Sequence, residues 1–321
     1  MSQPLPPLKF DPIIKPLPWG GRKLESLFAK PLPPAQPCGE SWEVVDLAHD
    51  QSTVVGGPWA GAPLAALVRD HGEALLGEAG LLQGRFPLLF KFIDAADTLS
   101  VQVHPDAATA ARLGGGARPK TEAWAILDAE PGAVLYLGLR EGVGRDELAA
   151  ALDQGTVAEL LQPVEVQPGE FYFLPSGALH AIGAGIVLAE IQQSSDTTYR
   201  VFDWNRVGLD GKPRQLHVEQ ALASIHFDLR GRIRAAAPRS GRPGVRCEHF
   251  SFERIRLAAG DAVPLEGGRP RIVACIAGGG TLSGHGGEPL ALALGQTCLL
   301  PACLSTQLES RQEGTFLAIR V

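Results

Sequence analysis

The sequence predicts an all-β protein with a few helices set among many short strands. Its 38 Gly and 26 Pro are spread over all 321 residues and punctuate short apolar runs, the pattern of strands closed by tight turns. Most of those runs alternate, or are continuously apolar over a few residues, and few follow the helical period. A third observation points to two similar β-domains. Gly169-x5-Pro175-x-Gly177-x2-His180 is echoed by Gly295-x5-Pro301-x-Cys303-x2-Thr306, with the spacing kept and the His replaced by Thr.

The strands can be placed in order. Residues 86–93 form a nearly continuous apolar run, as expected of a strand buried on both faces. Strands at 99–103, 122–128 and 133–139 follow, and the turn signal Ala129-Glu130-Pro131-Gly132 suggests that the last two form a hairpin. Further strands are expected at 171–174, 186–192 and 199–204. Three helices are expected. One runs over 63–82, where Pro63 suits a first turn; a second over 145–161, with Asp146 and Glu147 favourable to the dipole; a short third over 217–225. The Arg-, Ala-, Gly- and Pro-rich stretch 230–246 reads as a linker, which divides the chain into domains 1–235 and 236–321.

Bulk properties narrow the function. The formal charge is −6 with no basic block, which argues against a nucleic-acid surface but leaves room for a local basic pocket. No apolar run approaches the ~18 residues of a membrane span. The start, Met1 to Pro7, lacks the charged and apolar regions of a signal peptide, so a cytoplasmic protein is expected. The five cysteines are odd in number and scattered, and read as free, buried thiols.

Chemistry concentrates in three segments. In Leu99-Ser100-Val101-Gln102-Val103-His104-Pro105 the alternation puts Gln102 and His104 on one face, a polar pair that is costly to bury without a partner. Lys120-Thr121-Glu122-Ala123-Trp124 carries a carboxylate amid apolar residues, and His180 follows a Pro/Gly turn. Two imidazoles and a carboxylate suit a catalytic divalent metal with an open position. Gln102 could add an amide oxygen as fourth ligand or support a ligand from behind.

The residues also carry a resemblance. Gly169 to His180 matches the second cupin motif at every fixed position, while Gln102-x-His104 departs from the usual His-x-His of the first. With that departure the chain resembles the type I mannose-6-phosphate isomerases over most of its first 230 residues. The segments that carry the likeness are Pro18-Trp19-Gly20-Gly21, Gly39-Glu40-Ser41-Trp42-Glu43, Leu89-Phe90-Lys91, the Gln102–His104 and Lys120–Trp124 runs, Gly177 to Ile182, and Glu190 to Arg200.

The resemblance implies two cupin (jelly-roll β-barrel) domains, the second degenerate and without metal ligands. It implies one Zn2+ per chain held by His104, Glu122 and His180 with Gln102, and Arg200 as the catalytic arginine. Ser100 and Lys91 become candidates for the phosphate end of a sugar phosphate, and Trp19 for the sugar's apolar face. Glu190 and Lys120 remain alternatives for the base, with Glu190 favoured and Lys120 holding a substrate oxygen. A monomer or small homo-oligomer is expected. Another metal-dependent cupin, such as an Fe(II) oxygenase, and a non-catalytic sugar-binding cupin are the competing readings.

Overall fold

In a computed structural model, residues 5–229, 233, 235–236, 243–284 and 286–321 are described. Most of the expected linker, the first four residues and His285 lie outside them. The described residues form four antiparallel sheets. Strands are numbered in chain order. A six-stranded sheet runs β2 (Ile13–Gly21), β3 (Cys38–Val44), β4 (Leu88–Ala95), β11 (Ile186–Gln193), β6 (Glu122–Ala129), β9 (Phe171–Leu174). Facing it is a five-stranded sheet of β12 (Tyr199–Phe202), β5 (Val101–Val103), β10 (His180–Ile182), β7 (Val134–Leu139) and β8 (Leu161–Glu165).

The C-terminal residues build a second pair of sheets. One runs β1 (Leu8–Lys9), β19 (Thr297–Leu300), β16 (Arg271–Ala277), β21 (Gly314–Arg320), β14 (Ser251–Leu257), β13 (Gly244–Arg246). The other runs β15 (Ala262–Leu265), β20 (Thr306–Glu309), β17 (Gly279–Ser283), β18 (Leu290–Ala293). The N-terminal β1 thus belongs to a C-terminal sheet, with Leu8 opposite Leu299.

The two six-stranded sheets share one apolar core. Phe90, Phe92, Ala123, Ala125, Val187, Ala189 and Phe171 of the first meet Phe252, Ile272, Ala274, Leu299, Leu317 and Ile319 of the second. The opposite faces of β4, β6 and β11 point into the first sandwich. Every residue of β4 and β11 is therefore buried, as the continuous apolar run at 86–93 predicts. A buried ion pair lies at this seam: Lys30 is 2.7 Å from Glu43, and across the seam Glu43 accepts a hydrogen bond from Thr297 at 2.9 Å.

Three expectations are corrected. The strands at 122–128 and 133–139 do not form a hairpin, because they lie in different sheets. The 129–132 turn is a corner. Beside it the 183–185 turn makes the same crossing, with Glu130 N donating to Gly185 O and Gly183 N donating to Val134 O. Strands β6 and β7 therefore pair with β11 and β10, and the turn residues mark the bend without naming the partner. The helix expected over 63–82 is α2 (Leu64–Leu76), stopped at Gly77, whose φ is 53°. The helix expected over 145–161 is two, α4 (Arg145–Gln154) and α5 (Val157–Leu160), broken by Gly155 at φ 73°. The third is α6 (Val218–Ser224); α1 (Lys23–Phe28) and α3 (Ala107–Leu113) had no clear helical period in the sequence. No helix among the described residues is long and apolar enough to cross a membrane.

The internal echo has a geometric counterpart. Gly169 and Gly295 both take positive φ, 95° and 74°, each two residues before a four-residue strand. His180 and Thr306 each open the strand after the following turn. Gly295 is further constrained, since a Cβ there would lie 1.9 Å from Phe28 O. Gly295→Ala should therefore cost roughly 2–4 kcal/mol, whereas Gly132→Ala, also at positive φ but in open space, should cost about 1 kcal/mol. Urea denaturation midpoints of the two variants, at unchanged m, check the difference.

Candidate metal centre and active site

Strand register assembles the site between the facing sheets of the first sandwich. On the five-stranded sheet, Arg200 pairs with Gln102 and Gln102 with His180, so the three lie abreast on β12, β5 and β10. His104, two residues beyond Gln102, shares its face. On the six-stranded sheet, Glu190 of β11 sits between Lys91 of β4 and Trp124 of β6, and Glu122 lies two residues before Trp124 on the same face.

His104, Glu122 and His180 meet. Their ligand atoms all lie within 4.8 Å of one another, and the three residues are 1–2% exposed. His180 Nε2 is 3.1 Å from Glu122 Oε1, and His104 Nε2 is 3.5 Å from Glu122 Oε2. Behind them, His104 Nδ1 is 2.9 Å from Thr197 O and His180 Nδ1 is 3.0 Å from Ala178 O. A carbonyl can only accept, so each Nδ1 carries the proton and each Nε2 turns its lone pair to the centre.

The electrostatics agree. Burial lowers the pKa of both histidines, with Lys120 and His180 adding to the effect on His104, so both rings are neutral. Burial alone would raise Glu122, but the Lys120 ammonium outweighs it and its carboxyl stays below its ordinary value. Neither Glu122 oxygen accepts a hydrogen bond of ordinary geometry, although Lys120 Nζ is 2.8 Å away. A buried carboxylate and two imidazole lone pairs converge here, with Lys120 Nζ 3.2 Å from His104 Nε2, and such a donor set fits a divalent cation. Gln102 Nε2 is 3.3 Å from His180 Nε2; turning the amide over would present its oxygen instead.

Beside this centre opens a cavity of about 290 Å3. Ser100, Gln102, Lys91, Lys120, Glu190, Arg200 and Trp19 all line it, so every further residue singled out in the sequence reaches one space. Arg200 Nε donates to Ser100 Oγ at 3.2 Å, and burial with the nearby Arg214 lowers its pKa from the usual arginine value. Glu190 Oε2 accepts from Trp124 Nε1 at 3.0 Å, while its buried Oε1 has no hydrogen-bond partner. Lys91 Nζ is 3.3 Å from both Glu40 and Glu190; burial would lower its pKa, but these carboxylates raise it overall. Trp19 is only 3% exposed and lies against Gly39, where a Cβ would come 2.4 Å from the ring.

Sequence reasoning missed Glu40, Trp42, Lys15 and Arg214, which also line the cavity. Glu40 and Trp42 sat within a quoted signature without a role. Arg214 is held by Asp203 at 2.5 Å from a loop with no periodic signal. Five basic side chains (Lys15, Lys91, Lys120, Arg200, Arg214) and two carboxylates (Glu40, Glu190) line the space, a balance suited to an anionic substrate.

A two-histidine, one-carboxylate centre at the mouth of a cavity lined by basic side chains, inside a β-sandwich, has the donor set for a metal ion and the charge to receive a small anion. Residues 8–126 match the family model described as phosphomannose isomerase type I, catalytic domain. The mannose-6-phosphate isomerase ManA of Bacillus subtilis (strain 168) is 40% identical over 220 residues, 68% of each chain. A mannose-6-phosphate isomerase of Streptococcus mutans is 41% identical over 204 residues, 64% of this chain and 63% of the relative. The crystal structure of the Bacillus subtilis mannose 6-phosphate isomerase superposes with a TM-score of 0.87 at 30% identity, covering 99% of this chain and 100% of that one. The chain belongs to the type I phosphomannose isomerase family.

The depressed histidines predict a pH signature for the metal-free protein. With folded pKa values below the unfolded value near 6.5, the unfolded chain binds more protons, so stability is full above about pH 6.5 and is lost as pH falls. Two such groups give a limiting slope of roughly 2.7 kcal/mol per pH unit below that point. Denaturant titrations from pH 7.5 to 5 in chelator should show it, and His104→Gln should about halve it.

Proposed function

We propose that this chain interconverts mannose 6-phosphate and fructose 6-phosphate through an enediol, with Zn2+ held by His104, Glu122, His180 and Gln102. The observation that carries the reading is the donor triad facing a cavity rich in basic side chains. Family membership supports the substrate. The difficulty of the reaction is the weak acidity of a C–H beside a carbonyl. A bound cation would polarise that carbonyl and stabilise the oxyanion that develops.

The remaining work falls to this chain's own groups. Glu190 is the base that moves the proton between C2 and C1. Trp124 ties up one of its oxygens, and Oε1, which borders the cavity residues Lys91 and Lys120 at 3.3 and 3.5 Å, is the one left to face the substrate. Lys120, in contact with both Glu122 and His104, holds a substrate oxygen beside the centre. Arg200 adds a fixed positive charge over the same face as Gln102. Ser100, joined to Arg200, receives the phosphate end. Lys91 also borders the cavity, but its two carboxylate neighbours suit it better to holding Glu190 than to a phosphate. Trp19 helps wall the cavity off from water.

The second pair of sheets reads as a degenerate cupin, giving domains 1–235 and 236–321, with β1 of the first crossing to the second's sheet. Its interior is filled by Ile255, Leu257, Val273, Cys275, Leu282, Leu308 and Phe316, and Thr306 stands where the first copy has His180. The five cysteines are all unpaired, in keeping with a reducing cytoplasmic compartment. Fe(II) would also accept the triad. The basic cavity favours the isomerase.

Mannose 6-phosphate should be turned over, and chelator should abolish turnover until zinc is returned. His104→Ala should lose both metal and activity; normal metal content and rate in that variant would sink the assignment. Arg200→Ala should keep the metal and lose about 10²–10⁴-fold in kcat. To separate the bases, exchange of the substrate C2 proton with solvent should disappear in Glu190→Gln and persist in Lys120→Met. The reverse outcome would transfer the base to Lys120.

A further inference from the structure

A second cavity lies at the seam between the stacked six-stranded sheets, and it shares no lining residue with the first. It has about 220 Å3 of space. One wall is the outer face of β6 and β9, with Ala125, Leu127, Gly169 and Phe171; the other is β14, β16 and β21, with Arg254, Arg256, Ile276, Thr315 and Leu317. The site is thus on the back of the strand that carries Glu122.

Two features mark it as more than a packing defect. Its walls are apolar and aromatic, with Phe28 and Phe171 on the first-sandwich side, yet two arginines and, among the described residues, no acidic side chain line it. Among the described residues Arg254 has no carboxylate partner, its Nε is buried without a hydrogen bond, and burial together with Arg256 lowers its pKa. An unpaired, half-buried guanidinium is expensive and is relieved by an anion. The guanidinium lies over Gly169, where a Cβ would come 2.4 Å from Nη1; a side chain there would displace it.

We infer that this seam cavity is a second ligand site, for a small organic anion that joins a flat apolar body to a phosphate or carboxylate head. The apolar body would lie between Phe28, Phe171 and Leu317, and the head would take the forked donors of Arg254 with Arg256 behind. The volume limits the body to about one ring, since a cavity of roughly 150 Å3 already holds benzene.

Phenyl phosphate is a suitable probe, titrated calorimetrically into the full chain. Arg200→Ala serves as background, so that binding in the basic cavity is weakened. One saturable site is expected there, undisturbed by excess mannose 6-phosphate. Arg254→Met, which keeps the aliphatic stem, should weaken it roughly tenfold or more, and Arg254→Lys should restore part of the loss. Thr315→Trp, which fills the cleft, should abolish it, with the circular dichroism of each variant confirming the fold. Unchanged affinity in a folded Arg254→Met, displacement by mannose 6-phosphate, or no saturation up to about 20 mM would each overturn the site.

Discussion

The central strands β4, β6 and β11 are covered on both faces, and the rest of the molecule follows from that. Their outer face packs on the C-terminal sheet through Phe90, Phe92, Ala123 and Ala189, and their inner face looks into the first sandwich. Burial on both sides makes the inner face a poor solvent for charge. Charged groups there survive only by compensating one another. Glu122, Glu190, Lys91 and Lys120 do so as a connected set, with separations of 2.8–3.5 Å. The same low-dielectric setting keeps His104 and His180 neutral and holds a lone pair on each Nε2.

The second sandwich therefore has a physical task even without ligands of its own. It supplies the cover that buries the back of the sheet carrying Glu122 and Glu190, and it is clamped there by apolar packing and by the Lys30–Glu43–Thr297 contacts. Its interior is apolar where the first is charged. Gly295 shows how close the two halves come, since its lack of a side chain lets it meet the Phe28 carbonyl. Arg254 lies at this same seam, beside space that the cover leaves open, with its Nε buried and without a hydrogen bond.

Much of the site was legible because short-range rules act on short segments. Alternation put Gln102 and His104 on one face, and the strand places them so. The Gly/Pro turn before His180 begins β10 as its spacing suggests. The misread hairpin shows where such rules stop. Pro131 and Gly132 specify a bend, but whether the strands fold back on themselves or cross to another sheet is decided by neighbours some 50 residues away in β10 and β11. Glu40 and Arg214 escaped for a similar reason. Each matters through a partner, Lys91 or Asp203, and a residue's own type does not announce its partner.

By itself the sequence determined which residue types were available, their alternation, the positions of the breaks, and a pattern of motifs specific enough to identify the family. Those properties depend on side-chain chemistry and spacings of a few residues. Only the tertiary structure decided that Arg200, Gln102 and His180 lie abreast, that Trp124 holds one oxygen of Glu190 while Lys91 and Lys120 face the other, and that Lys91 is already matched by two carboxylates. Register between strands, and burial on both faces, are set by contacts across the whole chain. The charge state and freedom of each group depend on those contacts, so they could not be read from its neighbours in sequence.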